Sequence, residues 1–168
     1  IRDRFVRGLR GGDRLALVTY SNGAELVMAS TELDDRSQGA ALDAIDRIDV
    51  SGMTNISGGI ELGRQEILRA AGDGRVNRIV LISDGVANMG ITDAHGLSRI
   101  AEDLRERGVT LSSMGVGLDF NEDVMMRLAD RGGGNYYYVR DAHKLAHVFS
   151  GELKSLQGIV AHRPELRI

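Results

Sequence analysis

Short apolar runs alternate with amphipathic stretches along almost the whole chain, and this rhythm limits the fold more than any other feature. LALVTY at 15–20, RIVLIS at 78–83, VTLSSMGV at 109–116 and NYYYV at 135–139 are brief and largely apolar, as strands buried on both faces are. Between them lie stretches of roughly 10 to 16 residues with helical spacing of apolar positions. Strands separated by helices imply right-handed crossovers, a mostly parallel sheet and helices on both of its faces. One exception is expected at the start. Ser21-Asn22-Gly23 is a turn signal, and Glu25 to Ala29 follows as an antiparallel partner at the sheet edge. The expected class is therefore α/β, Rossmann-like and doubly wound, with one antiparallel edge strand.

The helical stretches carry their own punctuation. Phe5, Val6 and Leu9 share one helical face before Gly11-Gly12. Ser37 to Ile48 predicts a helix with Ala41, Leu42, Ile45 and Ile48 inward, and Ser57 to Ala71 predicts another, closed by Gly72 and Gly74. Leu97, Ile100, Ala101 and Leu104 form a stripe stopped by Gly108. Asn121 has the features of an N-cap, with Glu122 and Asp123 in the first turn of a helix that runs to about Arg131. Asp141 is expected to cap a last helix with Leu145, Val148, Phe149, Leu153 and Leu156 inward. Residues 1–156 thus read as one domain. Residues 157–168, ending in IVAHRPELRI, read as the start of a β-rich region or as a C-terminal tail.

Composition excludes several functions. The chain has 168 residues, enough for one stable core, and a net charge of −3 with both signs interspersed, which gives no basic surface for nucleic acid. No apolar run approaches the ~20 residues of a membrane span. The absence of cysteine removes disulfides, thiolate nucleophiles and thiolate zinc sites.

In open parallel sheets, ligands bind beyond the carboxyl ends of the strands. Two loops fall there. One holds Ser51, Thr54, Asn55 and Ser57 before a helix; the other holds Ser83, Asp84 and Gly85 after the strongest strand. Their oxygens suit hard divalent cations, although helix capping and turn formation are the ordinary uses of such residues.

Taken together, LALVTYS, SGMTNISGGIELG, RIVLISDGVANMG and VTLSSMGVGLDFNEDVMMRLADRGGGNYYYV resemble the von Willebrand factor A family, specifically a bacterial branch similar to calcium-activated chloride channel subunits. The resemblance covers roughly residues 1 to 156. It implies a protein-binding module with a metal-ion-dependent adhesion site, in which Thr54 and Asp84 are metal ligands and Mg²⁺, Mn²⁺ or Ca²⁺ is the ion. It also implies a partner that presents an acidic side chain, no enzymatic activity, and a bacterial cell-surface, periplasmic or secreted location over a cytoplasmic one. The family's Asp-x-Ser-x-Ser motif occurs nowhere in the sequence. The first central strand and first metal loop are therefore expected upstream of Ile1, metal binding by this stretch is expected to be weak or absent, and a second copy is one way to cover the resulting gap.

Other signals favour ordinary readings. Asp119, Asn121 and Asp123 mimic the opening of a calcium loop, but Val124 and Asp130 stand where that loop needs Gly and Glu. His95, His143, His147 and His162 form no catalytic or zinc pattern. A degenerate module that binds partners without metal is the main alternative, and a phosphotransfer enzyme built around Asp84 is a more distant one.

Overall fold

The computed structural model describes residues 6–49, 52–70, 75–141 and 144–157. Its strands are β1 (Arg14–Tyr20), β2 (Ala24–Glu32), β3 (Asn77–Ser83), β4 (Val109–Val116) and β5 (Gly133–Val139). Its helices are α1 (Asp35–Asp46), α2 (Ile56–Ala70), α3 (Ala94–Glu106), α4 (Glu122–Gly132) and α5 (Leu145–Gln157). The expected glycine stop at 72–74, most of the helix over the first ten residues and the tail beyond Gln157 lie outside the described residues.

The expected α/β class is observed. β3, β4 and β5 form a parallel sheet in that order, while β1 and β2 pair as an antiparallel hairpin. Among the described residues no backbone ladder joins β1 to β3. Helix α2 packs against β1, β2 and β3 together, and the Tyr20 hydroxyl at the end of β1 donates to the Ile82 carbonyl near the end of β3. The strands therefore point their carboxyl ends at the same rim.

Alternation along β4 shows how the two faces are used. Val109 and Leu111 join a core with Leu81 of β3, Ile56 and Ile60 of α2, Leu97, Ala101 and Leu104 of α3, and Val124, Met125 and Leu128 of α4. Ser113, on that same face, donates to the Met125 carbonyl. Ser112 points the other way, to α5. Helices thus cover both faces, as the apolar strands require.

Local chemistry sets several boundaries. The Asp34 carboxylate accepts from the Ser37 amide and the Ser37 hydroxyl accepts from the Asp34 amide, a capping box that starts α1 at Asp35, two residues before the sequence-based start. Only Ala41 of its expected inward set is buried; Leu42, Ile45 and Ile48 are half-buried. Asn121 caps α4 through the Val124 amide, as expected. β5 begins at Gly133 rather than Asn135, directly after the helix.

On the α5 face lies a feature that apolar patterning does not reveal. Glu152 is 1% exposed and its carboxylate is held by Arg78 of β3, Ser112 of β4, and Asn135 and Tyr137 of β5. Burial pushes its pKa up, but these four hydrogen bonds outweigh burial and hold it below the ordinary glutamate value. A depressed folded pKa contributes stability that is complete above the ordinary 4.5 and drains away as pH falls through the folded value. Glu152→Ala leaves Arg78 buried without its carboxylate, which costs about 3–5 kcal/mol. Urea unfolding at pH 7 should show that loss, a smaller one for Glu152→Gln, and a gap between wild type and Glu152→Gln that narrows below pH 4.5.

Candidate metal centre at the carboxyl rim

Three loops meet where β1 and β3 end. Asn55 is their junction. Its amide donates to the Ser21 carbonyl, its side-chain nitrogen to the Asn22 carbonyl, and its side-chain oxygen accepts from the Gly58 amide, which caps α2. The Asn22 side chain in turn accepts from the Met53 amide. The loop after β3 is fastened just as firmly. The Asn88 side chain accepts from the Thr54 amide at 2.7 Å, the Asn88 amide donates to the Thr54 carbonyl at 3.2 Å, and the Ser57 hydroxyl accepts from the Ile91 amide.

This interlock brings Thr54, one of the two expected ligands, up to the turn that carries the other, Asp84. The Thr54 hydroxyl lies beside the Asp84-Gly85 turn: a side chain on Gly85 would place its Cβ 3.0 Å from Thr54 Oγ1. Among the described residues, neither the Thr54 hydroxyl nor the Asp84 carboxylate has a hydrogen-bond or ion-pair partner in the protein. Ser83 turns instead to the Gly85 carbonyl. Asn55 and Ser57 serve as cap and loop tie, so the ordinary reading holds for both; Ser51 lies outside the described residues.

Tyr20 forms the wall below this rim. Its ring packs so closely on α2 that a Cβ on Gly59 would fall 2.7 Å away, which only glycine avoids. Burial raises its pKa to about 12, so the hydroxyl stays protonated and remains a donor to β3 at neutral pH.

The donor set has the chemistry of a hard-cation site but not its full number. The Thr54 hydroxyl approaches Gly85, and Asp84 precedes that glycine in the same turn. Among the described residues no group of three or more His, Asp or Glu side chains could cage an ion. Asp123 pairs with Arg127, and His95 and His147 are exposed helix positions.

Residues missed from the sequence are Asn22 and Asn88, which hold the loops, and Tyr20. The Ser21-Asn22-Gly23 turn was the one signal available for the first.

An α/β domain whose polar loops gather at the carboxyl rim of its strands belongs to the class that binds ligands at strand ends. The chain belongs to the von Willebrand factor type A domain family, whose model matches residues 3–151. It is 36% identical over 158 residues to the uncharacterized protein YfbK of Escherichia coli strain K12, covering 94% of this chain and 27% of that one. It therefore spans about a quarter of that relative's length. The fold is similar to a von Willebrand factor type A structure from Catenulispora acidiphila, with a TM-score of 0.81 and 22% identity over 92% of this chain and 36% of that chain. It is also similar to proximal thread matrix protein 1 of the mussel byssus with a zinc-occupied MIDAS motif, with a TM-score of 0.73 and 21% identity over 92% of this chain and 38% of that one.

The loop geometry has a direct consequence for Gly90. Its φ is +68°, and a Cβ would fall 2.5 Å from both Asn55 Oδ1 and Ser57 Oγ. Gly90→Ala therefore strains the backbone and disrupts the tie to Ser57, at a cost of about 1–3 kcal/mol. Thermal unfolding should show a lower midpoint, whereas Gly23→Ala, where a Cβ meets nothing within 4 Å, should unfold close to wild type.

Proposed function

We propose that this chain is a protein-binding module in which the Thr54 hydroxyl and Asp84 carboxylate hold one side of a Mg²⁺ ion, or of Mn²⁺ or Ca²⁺ in its place. An acidic side chain from a partner protein completes the shell. The observation that carries this reading is the approach of Thr54 Oγ1 to the Asp84-Gly85 turn, with both oxygens uncommitted to protein partners. Family membership supports it, and so does the zinc-occupied motif in the mussel protein of similar fold. The ion supplies charge that two hard oxygens alone lack; Thr54 and Asp84 position it at the rim, and the Asn88 and Asn55 ties keep that rim from closing. Two donors give weak affinity, since hard cations take six or more oxygens. Water, the partner and an Asp-x-Ser-x-Ser loop, absent from the sequence, are the sources of the rest.

The module is proposed to act without catalysis. Phosphotransfer at Asp84 needs neighbouring acidic groups, and the described residues gather no group of three or more His, Asp or Glu side chains. A degenerate module that recognises partners without metal is favoured by one observation, the same short donor set.

Calorimetry separates these readings. Titration with Mg²⁺, Mn²⁺ and Ca²⁺ should give binding heats for the wild-type chain, and Asp84→Ala should weaken affinity by about tenfold or more. Equal and negligible heats for both proteins would leave the metal-free module standing.

A further inference from the structure

β5 ends the parallel sheet, and among the described residues no strand pairs with its outer edge. Two hydrogen bonds fix which backbone groups that edge presents. The Asn135 amide donates to Ser112 Oγ on β4, and the Val139 carbonyl accepts from the Gly117 amide just beyond β4. Residues 135, 137 and 139 thus turn their peptide groups inward. Alternation leaves the N–H and C=O of Tyr136 and Tyr138 facing outward. The ladder with β4 is regular from Tyr136 to Val139, so these groups stand in line.

Sheets ordinarily protect such an edge with charge, proline or a covering segment. Gly-Gly-Asn-Tyr-Tyr-Tyr-Val has neither charge nor proline. A groove of about 480 Å³ runs beside it. Met126 and Asp130 of α4 form one wall, Ser155 of α5 lies on the other side, and Asn135 to Tyr137 line the floor. Met126, 43% exposed, and Tyr138, 46% exposed, give this edge open apolar surface.

Helix α4 sorts its charges between two sides. Asp123, Arg127 and Arg131 line the opposite groove, against α3, where Asp123 holds Arg127 and Glu102 holds Arg131. Towards β5 it turns carboxylates: Asp130 in the groove wall, and Glu122, which accepts from the Tyr136 hydroxyl. The groove lining contains no Lys or Arg. Lys154, next to Ser155, and Arg140, after the strand, stand outside it, and Asp119 and Asp141 add two carboxylates at the strand's carboxyl end. A second copy would set α4 against α4, carboxylates facing carboxylates, which like-charge repulsion disfavours. A cationic strand meets no such conflict.

We infer that the outer edge of β5 accepts an extended segment of a partner protein whose alternate side chains are Lys or Arg. Tyr136 and Tyr138 supply the main-chain hydrogen bonds that hold a strand, and Asp130 and Glu122 select a basic one. The site lies on the side of the sheet, two strands from β3, and needs no ion.

The test follows three fluorescein-labelled peptides by anisotropy with the whole chain: Lys-Thr-Lys-Val-Lys-Thr, Glu-Thr-Glu-Val-Glu-Thr and Lys-Pro-Lys-Pro-Lys-Pro. The first should bind about tenfold more tightly than the other two, because the second reverses the charge and the third lacks amides at alternate positions. Asp130→Lys should reduce the preference for the first peptide over the glutamate one about tenfold. Tyr138→Pro removes an outward N–H and spares the inward ladder, so it should weaken the first peptide similarly while circular dichroism stays that of the folded chain. Should that variant fail to fold, Asp130→Lys, at an exposed position, decides alone. Equal binding of the two lysine peptides means charge attraction without strand pairing and overturns the proposal. So does absence of binding by the first peptide, or binding unchanged in both variants. Sedimentation of the chain alone covers the remaining occupant: a dimer dissolved by Tyr138→Pro, with no peptide bound, assigns this edge to a second copy instead.

Discussion

Asn55 joins the backbone after β1, the first turn of α2 and, through its neighbour Thr54, the loop after β3. Everything distinctive about the rim depends on that junction. Loops at strand ends ordinarily move relative to one another, because few buried contacts fix them. Here a short side chain satisfies the helix terminus and a loop backbone at once, while its own amide makes a second bond to that loop. The same bonds bring the Thr54 hydroxyl up to the turn that carries Asp84. Preorganisation of this kind matters most where few donors exist, since a weak site loses its remaining affinity if it must also order its loops.

The sheet beneath is supported from both sides by unlike means. On one face α2, α3 and α4 bury a continuous apolar core against β3 and β4. On the other, α5 is fastened by Glu152, which reaches all three strands of the parallel sheet through Arg78, Ser112, Asn135 and Tyr137. A buried charge gives little net stability compared with an apolar replacement, but it tolerates only one arrangement of its partners. That constraint fixes the register of α5 on the sheet more sharply than Phe149 and Leu153 beside it, which would pack nearly as well one turn away.

Much of this was legible in the sequence, and what was hidden has a common cause. The strand order of alternating runs, the hairpin after Tyr20 and the Asn121 cap all rest on residues within a few positions of each other. Thr54 and Asp84 could be singled out because each lies at a loop next to a recognisable element. Glu152 could not: on a helix between Phe149 and Leu153 it looks like a solvent-facing acid, and its four partners come from three strands far away in sequence. Asn88 was hidden for the same reason, since its partner Thr54 is 34 residues away. Local patterning identifies elements; polar contacts between distant elements become visible only when the chain is folded.

A metal-bridged contact and an apolar contact would do different work at such a rim. Ion-mediated contact to a carboxylate is strong for its size but undiscriminating, because every acidic side chain presents the same two oxygens. Apolar contact discriminates by shape and volume but is weak when spread over mobile side chains. The proposed pair, Thr54 and Asp84, offers an ion few donors. A metal site with so few donors would have to draw a larger share of its affinity from the surface around it.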